Sequence, residues 1–393
     1  MKKRHVFIFV IILIVTNLLT AVGIVGYILN GKGTFARLAK QEALEKFIKE
    51  KYLYDADDED LYVGSLKGIV KGLNDPYSEY YTGEEFEKLM EMTTGVFFGV
   101  GVEVTPGSDG MITVVAPIKG GPSEKAGIMP GDKIIKVDGV EYTADEMTEA
   151  VSKIRGEKGT KVTLTIYRPD ATENSTFDID VVRDEVHTHT VITDNLEDFA
   201  YIGITNFDEG TSKDFREAVS EFEKQNVKGY ILDLRGNPGG IVDGAVDVVN
   251  TFIGEGNIVS ANMKDGTSLF NYDAKKELLM TDKPLTVLVN GSSASASEIV
   301  SGALKDHKRG TLIGTKTFGK GIVQQTFPFG DGDGVKITTA EYFTPSGENI
   351  HRKGIMPDVE VELPKETEGI GMEYYDQDLQ LQKAVEILKD KTK

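Results

Sequence analysis

Apolar and polar positions along this chain change period several times, and each change marks a different kind of segment. Residues 6–29 carry no charge and outrun the roughly 20 apolar residues that cross a bilayer as a helix. Beyond them apolar residues recur at helical spacing. Phe35, Leu38, Ala43, Leu44, Phe47 and Ile48 make one stripe over 34–54, and further helices are predicted over 61–72 and 84–92. Through 95–182 short alternating runs predict strands at 102–105, 111–118, 133–137 and 161–167, with helices at 123–126 and 143–155. The longer helix opens on Thr143 and Glu146, a capping box, and presents Met147, Val151 and Ile154 on one face. From residue 199, apolar runs at 199–205, 229–234 and 285–290 read as buried strands alternating with helices at 212–224 and 242–253, which predicts an α/β core. A last helix over 377–389 carries a partial apolar stripe, read as a dimer contact.

Length and charge narrow the picture. At 393 residues the chain exceeds one ordinary core, so a multidomain protein is expected. Its net charge of −19 argues against nucleic-acid binding, which needs a basic face. The absence of cysteine excludes disulfides, thiolate metal sites and cysteine nucleophiles. Lys2, Lys3 and Arg4 precede the apolar run, which places the N-terminus inside and the remaining chain outside. A cleaved signal peptide is the alternative, with Ala21 to Gly23 as its cleavage site, but apolar sequence continuing to Leu29 favours a retained anchor.

The candidate chemistry gathers between Asn290 and Gln325. Ser295 falls at a strand-to-helix turn, where a hydroxyl meets the positive end of a helix and unpaired backbone N–H groups. Lys320, between Gly319 and Gly321, reads as part of a strand that turns Lys320, Ile322 and Gln324 to one face. A neutral lysine amine there can take a serine proton, and serine–lysine pairs are a variant of the serine–histidine–aspartate arrangement. Each residue also has an ordinary reading. Ser295 and Glu298 fit a helix capping box, Lys320 a solvated charge, and Gln324 an exposed strand position. Two further loops stand out. Asp233 to Gly240 ends a strand on a glycine pair, by default a tight turn, and Phe98 to Val102 is a glycine-bracketed loop whose amides can converge on a carboxylate.

The runs Ser293 to Ile299 and Thr317 to Gln325 together closely resemble the carboxyl-terminal processing peptidases, or tail-specific proteases, and the likeness extends over nearly all the chain after residue 30. It implies an α/β serine protease core of crotonase/Clp-protease-like type, with Ser295 as nucleophile, Lys320 as general base and Gln324 orienting it. It also implies an oxyanion hole from Gly239 (Gly240 being second choice) and Ala296. Residues 95–182 resemble a PDZ domain, in which Gly99, Val100, Gly101, Val102, Met147 and Val151 would bind a peptide C-terminus as an added strand. The organisation expected is an anchor or signal (1–30), a helical region (31–94), the PDZ domain (95–182), the protease core (183–365) and a helical tail (366–393). The function implied is a membrane-anchored, extracytoplasmic serine endopeptidase without cofactor or metal, acting on proteins with accessible C-termini and forming a homodimer. The alternative is a catalytically silent PDZ adaptor, disfavoured because Ser295, Lys320 and Gln324 are all present. The five scattered histidines lack the spacing of a metal site. Arg168, at the end of the last PDZ strand, is read as a contact toward the core.

Overall fold

The computed structural model describes residues 5, 8–9, 13–18, 20, 33–169 and 175–393, and divides into two compact units, residues 1–82 and 83–393. Most of the apolar run 6–29 lies outside the described residues, and among the described ones no helix is long and apolar enough to cross a membrane.

In the first unit the helices Thr34–Lys51 and Asp58–Lys71 form where the apolar spacing puts them. Asp57 caps the second, its carboxylate accepting from the amides of Glu59 and Asp60 at 2.8 and 3.2 Å. Neither helix buries a residue, and Phe35, Leu38, Leu44 and Phe47 are each more than half exposed.

The second unit begins with the helix Gly83–Thr94, where the sequence predicts one over 84–92. The 95–182 module follows as an antiparallel sheet in the order Val102–Pro106, Ile112–Pro117, Lys133–Val137, Lys161–Tyr167 and Thr176–Val182. Val102–Pro106 is its terminal strand, bonded on one side only, to Ile112–Pro117. The helix Met147–Ile154 packs Ala150 and Ile154 into a core with Val100, Ile112, Ile134 and Leu164. Thr176–Val182, a strand not predicted from the sequence, pairs along the whole length of Lys161–Tyr167 and closes the sheet. Arg168 is held inside the module. Its Nε and Nη2 donate to Asp132 at 2.6 and 2.8 Å, and its guanidinium lies 5.2 Å from the Phe177 ring.

The core sheet runs Val191–Leu196, Phe199–Ile204, Gly229–Asp233, Leu285–Val289, Thr311–Gly314 and Val359–Glu360, antiparallel at the first pair and parallel thereafter. Its central strands are covered on both faces, which is why they read as continuous apolar runs rather than alternating ones. Ala200, Ile202, Leu232 and Val287 face the helices Thr211–Lys224, Val242–Asn250 and Ala296–Asp306. Tyr201, Ile231, Leu288 and Ile313 face the helix Leu379–Lys391 on the other side. The stripe of that last helix, read from sequence as a dimer contact, is thus spent on its own chain: Leu381, Ala384, Val385 and Leu388 are buried against the sheet. A second, antiparallel sheet includes Ile322–Pro328, Gly334–Phe343, Asn257–Met263 and Ser268–Asp273.

A buried polar cluster ties this last helix to the end of a central strand. Arg235 donates from Nη1 and Nη2 to Asp378 at 2.8 Å each, and from Nε and Nη2 to Asp233 at 2.9 and 2.6 Å. Asp378 caps the helix, accepting from the amides of Leu381 and Gly371. Burial pushes the Asp378 carboxyl up, but the Arg235 guanidinium more than offsets it and holds the group below the ordinary carboxylate range. A depressed carboxyl contributes stability that is present above its unfolded value, about pH 4, and lost as pH falls further. Removing one partner of a buried pair costs about 3–5 kcal/mol. Asp378→Ala should therefore lower the urea midpoint markedly at neutral pH and weaken the acid dependence of stability below pH 4. An unchanged midpoint would show the cluster to be unimportant for stability.

Candidate active site

Ser295 stands between the strand Leu285–Val289 and the helix Ala296–Asp306, at φ +54° and ψ −113°. A non-glycine residue in that region is strained, and the neighbouring serines show what holds it. Ser293 and Ser297 are fully buried. Ser293 Oγ donates to Leu234 O at 2.8 Å and Ser297 Oγ to Asn237 O at 3.0 Å. The outer serines therefore pin the turn to the 234–237 loop, while Ser295 lines a cleft of about 410 Å³ together with Lys320, Gln324, Gly240, Leu89 and Tyr342.

Lys320 reaches this cleft differently from the sequence expectation. Its strand starts at Ile322, so Lys320 lies in the turn before it, and a register shift between Val323 and Gln324 breaks the alternation that had put Lys320, Ile322 and Gln324 on one face. The flanking glycines have a steric reason. Gly319 has φ +92°, and a Cβ on it would lie 2.8 Å from Gly354 N. One on Gly321 would lie 2.5 Å from His351 N. Residues 351–354 thus press on both sides of the lysine, and only glycine lets them approach. Gln324 Nε2 donates to Thr338 Oγ1 at 3.1 Å.

Glu298 joins the serine and lysine segments, and only its capping-box spacing was visible in the sequence. Its side chain is fully buried. Oε2 accepts from the amides of Ser295 (3.0 Å) and Lys320 (2.8 Å), while Oε1 accepts from Gly319 N (2.7 Å) and Thr317 Oγ1 (2.6 Å). One carboxylate thereby fixes the backbones of both residues. Tyr342, also buried, donates to Ser295 O at 3.3 Å, and burial, with the Glu298 charge adding, pushes its hydroxyl well above the ordinary tyrosine value.

The two glycines of the pair are placed differently. Gly239 lies against the nucleophile turn, where a Cβ on it would come within 2.8 Å of Ser295 Cβ and 3.0 Å of Ala296 N. Its own amide, expected as an oxyanion donor, instead donates to Asn237 Oδ1 at 2.8 Å, because the asparagine turns back on the chain two residues on. Gly240 is the member of the pair that lines the cleft. Ala296, at the first turn of its helix, is buried against Gly239. No histidine lines the cleft.

In the 95–182 module, Gly99 ends the strand Val96–Gly99 and Val102 begins the next. The Val100 side chain is buried in the core, so only its backbone faces a ligand. Gly101 has φ +70°, and its carbonyl accepts from Ile118 N at 2.9 Å and from Ser123 Oγ. Met147 and Val151 are half-buried on the helix Met147–Ile154. Leu89, Met92 and Thr93 of the helix Gly83–Thr94 also line the Ser295 cleft, which no local pattern of the sequence indicates.

Three stretches of the chain match known protein families. Residues 198–361 match peptidase family S41, 113–168 a PDZ domain, and 29–85 the activating protease CtpB N-terminal domain. A carboxy-terminal-processing protease of Bartonella bacilliformis is 40% identical over 339 residues, covering 85% of this chain and 77% of that one. The carboxy-terminal processing protease CtpA of Bacillus subtilis is 43% identical over 337 residues, covering 85% and 70%. A solved S41 protease from Bacteroides fragilis shares the fold, with a TM-score of 0.51 at 17% identity over 88% of this chain and 97% of that one. A serine turn, a lysine turn and a PDZ domain on one α/β scaffold, with relatives this similar over this much of their length, place the chain in the carboxy-terminal-processing serine proteases of peptidase family S41.

Proposed function

We propose that this protease is a membrane-anchored, extracytoplasmic endopeptidase in which Ser295 is the nucleophile, Lys320 the general base and Gln324 the residue that orients it. The observation that carries the reading is that all three line one cleft, with Glu298 holding the Ser295 and Lys320 amides on a single oxygen. The Lys320 amine removes the Ser295 proton as Oγ attacks the scissile carbonyl, then returns it to the departing amine. Water attacks the resulting acyl-enzyme by the same route. The oxyanion is received by the Ala296 amide and the glycine pair. Gly240 already lines the cleft, and Gly239 would serve once its bond to Asn237 opens. Each such donor contributes about 3 kcal/mol to the transition state.

The substrate's C-terminus would join the PDZ sheet at the terminal strand Val102–Pro106, between it and the helix bearing Met147 and Val151, with its carboxylate at the Gly99 to Val102 loop. Two chains would pair through the exposed stripe of Phe35, Leu38, Leu44 and Phe47. The full chain should cleave an unstructured reporter protein with an apolar free C-terminus faster than the same protein with a charged tail added. Equal rates would count against PDZ delivery.

Orientation follows from Lys2, Lys3 and Arg4 ahead of the apolar run. A protease added outside intact spheroplasts should digest residues beyond 33, and their protection would reverse the topology.

A further inference from the structure

The helix Gly83–Thr94 has two working faces. Leu89, Met92 and Thr93, at i, i+3 and i+4, line the cleft that holds Ser295 and Lys320. Glu84, Glu87 and Glu91 turn the other way, into a separate cavity of about 490 Å³ that reaches Phe98 and Arg155 of the PDZ domain. One helix therefore separates the catalytic cleft from the end of the PDZ groove.

Arg155 caps the helix Met147–Ile154 and stands at the loop where a C-terminal carboxylate would sit. A Cβ on Gly99 would lie 3.7 Å from both Arg155 Cα and Cγ, and the guanidinium is 5.0 Å from the Phe97 ring. The neighbouring Gly156 amide donates to Phe98 O at 3.4 Å. Arg155 Nη1 is ion-paired with Glu91, and the two side chains are 41% and 24% exposed, so a ligand can reach the pair from solvent. The cavity wall is acidic: Glu84, Glu87, Glu91 and Glu157 face only Lys88 and Arg155. A carboxylate arriving there meets repulsion from every acid and attraction chiefly from the guanidinium that Glu91 holds.

We propose that Arg155 receives the C-terminal carboxylate of the PDZ ligand in exchange for Glu91, so that ligand binding releases a helix whose other face lines the catalytic cleft. The proposal rests on the reading that the PDZ groove takes protein C-termini, and it adds the cation, its resting partner and the route to the cleft. Ligand binding shifts an equilibrium only by its differential affinity for two states, and exchange of the Glu91–Arg155 pair supplies that difference.

The test uses the full chain in detergent micelles as its Ser295→Ala form, so that bound peptide survives. The probe is a fluorescent decapeptide with an apolar end, made as free acid and as C-terminal amide. The parent should bind the acid at least tenfold tighter than the amide. Arg155→Ala should bring that ratio close to one. Glu91→Gln should tighten acid binding about fivefold and leave the amide unchanged, the scale of one half-exposed ion pair. In the active chain, Glu91→Gln should also raise hydrolysis of a short amidated fluorogenic peptide. Acid preference surviving in Arg155→Ala, or acid affinity unmoved by Glu91→Gln, overturns the exchange while leaving C-terminal recognition intact. A parent that fails to distinguish acid from amide overturns both. Because Glu91→Gln is expected to gain affinity, misfolding cannot imitate its result.

Discussion

Ser295→Ala and Lys320→Ala should each lower kcat by about 10⁴-fold, and the double variant should lose little more than either alone. A nucleophile and its base act as one unit, so removing the second member after the first takes away nothing further. The size corresponds to about 5 kcal/mol of barrier. The variants should fold. Ser295→Ala leaves the pinning serines Ser293 and Ser297 in place, and its stability cost should not exceed that of a lost helix cap, about 1 kcal/mol. Lys320→Ala keeps the backbone amide bonded to Glu298 and the glycines that fit the turn against residues 351–354. Single-turnover hydrolysis of an unstructured protein, with thermal melts alongside, separates chemistry from folding. A Lys320→Ala chain that cleaves at the parent rate would remove lysine from the mechanism, and a double variant far slower than both singles would show that the two do not act together.

What was legible from sequence follows the range of the interaction concerned. The core strands announced themselves because burial on both faces makes them apolar throughout, and Thr143 with Glu146 announced a helix start because a capping box is local. Ser295 was placed correctly at the strand-to-helix turn for the same reason. The lysine segment reads as strand because glycine-bracketed β-branched sequence looks extended, whereas residues 351–354, more than thirty positions on, press it into the turn before Ile322. Nothing local could show that Asn237 occupies the Gly239 amide, or that Arg235 reaches Asp378 at the far end of the chain. The terminal helix misled in the opposite sense. Its stripe was visible, but a stripe does not say whether its partner is another chain or its own sheet.

After the dyad itself, Glu298 should prove the most sensitive position of the site, even to replacement by its isosteric amide. The carboxylate accepts four hydrogen bonds in pairs, Ser295 N and Lys320 N on one oxygen, Gly319 N and Thr317 Oγ1 on the other. An ionised carboxylate is acceptor on both oxygens, whereas a carboxamide has one acceptor and one donor group. In Glu298→Gln the NH₂ must therefore face either the two backbone donors Ser295 N and Lys320 N, or Gly319 N beside the Thr317 hydroxyl, which can turn to accept from it. If it faces Ser295 and Lys320, the two catalytic backbones lose their common anchor. If it faces Gly319 and Thr317, the lysine turn loses its support from below. An unmet buried donor costs about 1–3 kcal/mol, and at least one backbone amide is unmet in either orientation, two in the first. Glu298→Gln should accordingly lower stability by several kcal/mol and kcat by about 10²-fold, with KM changed far less, because the cleft walls that hold substrate are untouched while the reacting groups are displaced. Glu298→Ala should lose more of both, leaving all four donors unmet. Denaturant titration and steady-state kinetics on the same preparations read the two effects separately. A Glu298→Gln chain with the parent's kcat would mean that the shared carboxylate is a helix cap and nothing more.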